Sequence, residues 1–239
     1  SILKFNCFTQ IIVVDDKSTD DTLKILSKFN LLDYPKVDFK IIANNINVGV
    51  SKSRNNGIAF VKNHWYCFLD SDDTFLDFKE SFFLKYFTDY NESAFLFFSC
   101  VNSSGTMVGT EFSKPKSINQ REFLNNGTGG EKILFVNKKI CKNFLFDSNI
   151  DGFEKLTIGR FIINKKAHII PYKIRLYEIY DDSISNKSSL DINRLNNLIN
   201  GHLAFLNEFS NKLSIINLVK TNLKIIYYKF YKFIKLHSL

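Results

Sequence analysis

Two short apolar runs each stop at a cluster of carboxylates, and this pairing constrains the fold more than any other feature of the chain. Ile11–Val14 ends in Asp15-Asp16, and Trp65–Leu69 ends in Asp70-Ser71-Asp72-Asp73. A continuous β-branched or aromatic run of this kind suits a strand buried on both faces, as in a parallel sheet. The segments between them read as helices. Ser18-Thr19-Asp20 supplies an N-cap cluster for a helix over Asp21–Phe29. A strand over Phe39–Ala43, an Asn-rich loop over Asn44–Gly49 and a helix over Ser51–Lys62 follow. Phe78–Phe87 reads as a further helix and Ala94–Val101 as a further strand. Strand and helix in alternation mean βαβ units, so the fold class is α/β.

Composition narrows the classes. The 239 residues carry 32 Lys+Arg and 24 Asp+Glu, a net charge of +8, with 45% hydrophobic residues. Such a chain builds a core and is not disordered. The charge is uneven: residues 210–239 hold 6 Lys and no acid, which leaves 26 Lys+Arg against 24 Asp+Glu, a net of +2, for residues 1–209. A nearly neutral body argues against nucleic acid as a partner. Cys7, Cys67, Cys100 and Cys141 lie far apart without a CxxC pair and read as free thiols in a reducing compartment.

In an open α/β sheet, ligands bind beyond the carboxyl ends of the strands, so both acidic clusters would face one crevice. Carboxylates converging there repel unless a cation or hydrogen-bond donors compensate. A hard divalent ion shared with a substrate diphosphate meets that need; a plain helix-capping loop is the other reading of Asp-Ser-Asp-Asp.

At this point the residues carry a resemblance. Residues 11–22 (Ile-Ile-Val-Val-Asp-Asp-Lys-Ser-Thr-Asp-Asp-Thr) resemble the nucleotide-binding segment of glycosyltransferase family 2. Residues 45–57 are similar to its second signature, and Phe68-Leu-Asp-Ser-Asp-Asp is similar to its DxD motif. The resemblance implies a GT-A fold: a Rossmann-like, mostly parallel sheet flanked by helices. It divides the chain into a nucleotide-sugar-binding half (1–100), an acceptor-binding half (101–190) and C-terminal helices (191–239). It further implies that Asp15, Asp16, Asn45, Arg54 and Asp70 bind the nucleotide-sugar, and that Asp72 with Asp70 holds Mn²⁺ or Mg²⁺.

The family's general base is a carboxylate, often in a Glu-Asp pair after a segment ending in Phe-Asp. Here Phe146-Asp147 is followed by Asp151 and Glu154, and Lys155 stands where the pair has its Asp. Glu154 and Asp151 are therefore both candidates for the catalytic base. Tyr180–Ser185 also resembles a family segment, without an assigned role. Ser1–Gln10 resembles only the end of the family's first helix, which implies a natural protein longer at its N-terminus.

The last segment reads differently. Ile216, Val219, Leu223, Ile226, Phe230 and Phe233 fall three and four apart, an apolar stripe on a helix over about 212–236. Lys220, Lys224, Lys232 and Lys235 lie mostly on the other side, and Tyr227, Tyr228 and Tyr231 add amphipathic rings. A basic amphipathic helix with aromatics suits a membrane surface, while the same spacing also suits packing on its own domain or pairing in a dimer. The expected function is transfer of a sugar from a nucleoside-diphosphate donor, UDP-linked, to a bacterial surface-glycan or lipid-linked acceptor. The expected reaction is metal-dependent and inverting, on the inner face of the cell membrane. The alternative is a non-catalytic nucleotide-sugar-binding or scaffold protein of a glycan assembly complex.

Overall fold

A computed structural model describes residues 1–28, 34–177 and 190–237. Two sheets organise them. Strands β1 (Gln10–Asp15) and β2 (Asp38–Ala43) pair in parallel, in register from Gln10 opposite Asp38 to Asp15 opposite Ala43. The larger sheet has the order β3 (Trp65–Cys67), β7 (Lys132–Asn137), β5 (Ser93–Val101), β8 (Lys166–Leu176), β4 (Thr74–Phe75), and β6 (Lys116–Ile118) also pairs with β8. The parallel character expected from the sequence resides in β1 with β2 and in β5 with β8. Strand β7 runs antiparallel between β3 and β5, and the short strands β4 and β6 run antiparallel to β8. No strand among the described residues joins β1 to β3.

Strand β5 shows why its sequence is apolar apart from Ser93 and Ser99. All nine residues are buried, and successive side chains point to opposite faces. Phe95 and Phe97 enter one core with Phe123, Leu124, Leu156 and Phe205, while Leu96 and Phe98 enter another with Phe83, Phe135, Ile170 and Ile174. The sheet is thus covered on both sides. One cover is α4 (Gln120–Asn126), α5 (Glu154–Phe161) and α6 (Ile192–Phe209); the other is α3 (Glu80–Asp89).

Helices α1 (Thr22–Ser27) and α2 (Val50–Ile58) flank the β1–β2 layer in sequence. Helix α2 ends earlier than the periodicity predicts, at Ile58. It lies close against β1 because Gly57 has no side chain: a Cβ there would stand 3.2 Å from Val14 Cγ2. Residues 138–143 form a succession of turns in which Asn143 takes a left-handed φ of 61°. Helix α4 has no counterpart in the sequence reading, although Asn119 and Glu122 form a reciprocal capping box at its start. The Tyr180–Ser185 segment lies outside the described residues. The four cysteines are free, Cys100 and Cys141 fully buried.

Helix α7 (Ile215–His237) packs against α6 along one side only. Ile225 is buried, Tyr228 stacks on His202 at 5.8 Å with an interplanar angle of 11°, and Lys232 Nζ donates to Asn196 Oδ1 at 2.6 Å. Burial, with Lys224 and Lys155 adding positive charge, pushes the His202 imidazole down to about 4. A histidine whose folded value lies below its unfolded one favours the fold while neutral. Stability is therefore expected to fall as pH drops from about 6.5 toward 4. His202→Gln should flatten this part of the pH dependence, measured as urea-unfolding free energy at several pH values; an unchanged slope would show that His202 is not its source.

Candidate active site

The sequence-predicted residues converge on α2. Its N-terminal N–H groups have no intrahelical partners, and the residue that serves them comes from far away. Asp151 Oδ1 accepts from Ser51 N at 2.7 Å, and Asp151 Oδ2 accepts from Val50 N at 3.2 Å. Gly49 precedes them at a φ of +86°, and a Cβ there would lie 2.6 Å from Asp151 Oδ2. Further along α2, Asn55 bridges the main chain of Phe146 in both directions, donating to its O at 2.9 Å and accepting from its N at 2.8 Å. Both oxygens of Asp151 are thereby engaged as a helix cap.

Arg54, between these anchors, joins two other predicted residues. Its Nη1 donates to Glu154 Oε1 at 2.8 Å and its Nη2 to Asp70 Oδ1 at 2.7 Å. The guanidinium lies 5.5 Å from the ring centroids of both Phe68 and Phe146. Burial alone would lower its pKa, but Asp70 and Glu154 outweigh that and hold it above its ordinary value. One cation therefore brings Asp70, from the acidic cluster after β3, and Glu154, at the start of α5, to the same point. Glu154 opens α5 and keeps its side chain 38% exposed, so a substrate can reach it.

Asp15 and Asp16 divide their work. Asp16 Oδ1 accepts from Val48 N at 2.8 Å and Asn44 Nδ2 at 2.9 Å, and Oδ2 accepts from Gly49 N at 2.8 Å. Burial would raise this carboxyl, but the hydrogen bonds prevail and its pKa is lowered. Asp16 thus fastens the 44–49 loop. Asp15 is 4% exposed; its Oδ2 accepts from Ser18 N at 3.2 Å, and its Oδ1 is buried with no hydrogen-bond partner among the described residues. A buried polar atom left unpaired costs about 1–3 kcal/mol and calls for an explanation.

Asn45, picked from the sequence, is exposed at the loop surface. The neighbouring Asn44, which was not picked, ties Asp16, Ser53 and Asn56 together. Its signal was its position directly after β2, matching that of Asp16 directly after β1. Also unpicked is Arg175, whose Nη1 pairs with Asp73 Oδ2 at 2.9 Å, both side chains buried. Desolvation raises the Asp73 carboxyl to about 6 against the opposing pull of Arg175.

Asp70 and Asp72 occupy the exposed turn before β4. Among the described residues no three His, Cys, Asp or Glu side chains gather as a metal cage. Two hard oxygen donors suit a divalent cation that completes its shell with diphosphate oxygens and water.

With this geometry in place, the comparisons are informative. A family model described as Glycosyl transferase family 2 matches residues 1–148. Among curated proteins, the Escherichia coli UDP-Glc:alpha-D-GlcNAc-diphosphoundecaprenol beta-1,3-glucosyltransferase WfaP is 27% identical over 197 residues, 80% of this chain and 73% of that protein. The E. coli enzyme of the same description, WfgD, is 25% identical over 143 residues, covering 57% of this chain and 52% of that protein. Among solved structures, S. aureus TarS 1–349 in complex with UDP-GlcNAc superposes with a TM-score of 0.63 at 15% identity, over 97% of this chain and 65% of that chain. The same fragment in another crystal structure gives 0.59 at 16% identity, covering 97% and 64%. This chain spans just under two thirds of the TarS fragment and about half of WfgD. The fold is of the GT-A type. The chain belongs to glycosyl transferase family 2, which makes it a glycosyltransferase.

Loss of the long-range cap is expected to be felt in stability. Asp151→Ala should cost about 1–2 kcal/mol, measured by urea denaturation, whereas Asn45→Ala in the exposed loop should stay within about 0.5 kcal/mol. Equal effects of the two would show that Asp151 does not act as the cap of α2.

Proposed function

We propose that this glycosyltransferase moves a sugar, with inversion, from a UDP-linked donor to a lipid-linked, diphosphate-bearing glycan acceptor. The observation that carries it is Arg54, which holds a donor-side carboxylate, Asp70, and an acceptor-side carboxylate, Glu154, on one guanidinium. The UDP donor and the lipid-linked acceptor are supported by the substrates for which the two E. coli relatives are named and by the ligand of TarS.

In this reading the Asp15 Oδ1 atom, buried without a partner, receives an N–H of the base, and Asp16 keeps the adjoining loop in place. Glu154 takes the proton of the acceptor hydroxyl, whose oxygen attacks the anomeric carbon from the face opposite the leaving group. The bond from that carbon to the diphosphate oxygen breaks, and UDP departs with the electron pair. Asp151, both of whose oxygens cap α2, is the weaker candidate for base. Asp72 and Asp70 would hold Mn²⁺ or Mg²⁺, which would neutralise charge on the departing diphosphate.

Helix α7 supplies the route to a membrane-borne acceptor. The apolar stripe expected from the sequence is exposed along its whole length, from Ile216 (67%) to Phe230 (62%) and Phe233 (56%). None of the helices among the described residues is long and apolar enough to cross a bilayer. A stripe of this kind beside Lys220 and Lys229 fits an anionic bilayer surface, each Lys near it worth about 1 kcal/mol.

Two measurements test this reading. Transfer from UDP-glucose or UDP-GlcNAc to GlcNAc-diphospho-lipid should fall about 10²–10⁴-fold in kcat for Glu154→Gln, while Asp15→Asn should mainly weaken UDP binding. Full turnover by Glu154→Gln would defeat the base assignment. In vesicle flotation, the paired change Ile226→Asp and Phe230→Asp should abolish binding to phosphatidylglycerol vesicles, since each buried side chain contributes about 1.5–3 kcal/mol; unaltered flotation would remove the membrane face.

A further inference from the structure

Next to Glu154 in sequence stands Lys155, and α7 contributes Lys224, neither of them ion-paired among the described residues. Lys155 follows Glu154 in the first turn of α5, and its ammonium sits 5.0 Å from the centroid of the Phe205 ring. Among the described residues no carboxylate comes within ion-pair distance of it. The other cations here are matched: Arg54 has Asp70 and Glu154, and Arg160 on the same helix has Asp147 and Glu208. Lys224 lies on α7 one turn before Tyr228, the residue stacked on His202, and likewise has no acidic partner among the described residues; its charge bears on both Lys155 and His202. The floor between them is aromatic, with Phe153 edge-on to His202 at 4.9 Å and His202 stacked on Tyr228.

Gathering like charges on a half-buried apolar floor is unfavourable in the free protein. Burial first, and Lys224 second, push the Lys155 ammonium down to about 8. A ligand with several anionic oxygens spread over two phosphates relieves this, because each ammonium finds its own oxygen. The place on the chain limits which ligand that is. The donor's diphosphate belongs with Asp70 and Asp72, on the other side of Arg54. Next to Glu154 lies the acceptor. Along α7, Tyr227, one turn from Lys224 on the same face, and the adjacent Leu223 are exposed.

Resting on the lipid-linked acceptor proposed above, we propose that Lys155 and Lys224 bind the acceptor's diphosphate, with its hydrocarbon chain running along the exposed face of α7. The sugar hydroxyl then lies at Glu154 and the lipid points to the bilayer. This gives a reason for Lys155 at a position where the family's pattern has Asp: a carboxylate there would repel the phosphates.

The test uses the full chain and direct binding without donor. GlcNAc-diphospho-farnesol and a phosphate-free GlcNAc-farnesyl ether are titrated by calorimetry. The diphosphate compound should bind at least about tenfold more tightly. Lys155→Gln and Lys224→Gln should each weaken it about tenfold and leave both the ether and UDP unchanged, while Lys155→Arg restores binding. Equal affinity for the two compounds, or undiminished diphosphate binding by both Gln variants, would overturn the site. Because binding is read without sugar transfer, absence of turnover in the unmutated chain would reject the transferase reading alone.

Discussion

The carboxylate of Asp151 on the N-terminus of α2 is the interaction on which the rest of the site depends. Among the described residues the β1–β2 layer shares no ladder with the larger sheet, so its position relative to that sheet rests on what lies between them. Helix α2 is that element. It meets β1 through Gly57, and it is fastened to the 146–151 loop twice, by Asp151 at its start and by the two-way bridge from Asn55 to Phe146. A helix N-terminus carries about half a positive charge, so a carboxylate there gains from the dipole as well as from two hydrogen bonds. With α2 fixed at both anchors, the side chain between them, Arg54, reaches Asp70 on one side and Glu154 on the other.

Much of this was legible in the sequence, for reasons of period and position. The acidic clusters after apolar runs placed Asp15 and Asp16 at the end of β1 and Asp70 and Asp72 in the turn after β3, although both strands are half-buried and not covered on both faces as their composition suggests. The alternation of Phe95 and Phe97 with Leu96 and Phe98 between two cores was implied by a nine-residue run with no polar face. What could not be read was pairing over distance. Asp151 and Glu154 are equivalent as carboxylates in a list, and only contacts spanning 100 residues separate a helix cap from a side chain open to substrate. Loop spacing alone does not say which amide of the 44–49 loop faces Asp16; the structure gives that place to Asn44. The capping box at Asn119 and Glu122 was present in local sequence and went unread, because the short α4 it starts lacks a long apolar period.

Helix α7 shows a sequence pattern used on two faces at once. The stripe from Ile216 to Phe233 is exposed as a whole, while the opposite side, with Ile225 and Tyr228, packs on α6. Of the lysines expected to lie away from the stripe, Lys220 borders it while Lys232 and Lys235 lie on the packed side. Lys232 donates to Asn196 and Lys235 to the main chain of Leu190, so both hold the helix to the body. Lys220, Lys224 and Lys229 keep exposed positions. Six lysines in the segment therefore overstate the charge free to meet a partner, because part of it is spent inside the fold.

The arginine at the centre sets a further limit on what the site tolerates. Its two nitrogens diverge in a fixed plane toward two carboxylates, and its faces meet Phe68 and Phe146 at equal distance. A lysine offers one compact charge and no planar fork, so it can satisfy one carboxylate at the expense of the other. Leaving either acid without its cation would set the carboxylates of Asp70 and Glu154, which meet on this one guanidinium, against each other. The guanidinium therefore does more than neutralise charge: its geometry fixes how far apart the donor-side and acceptor-side carboxylates stand, and that spacing is what any reaction between two substrates in this crevice requires.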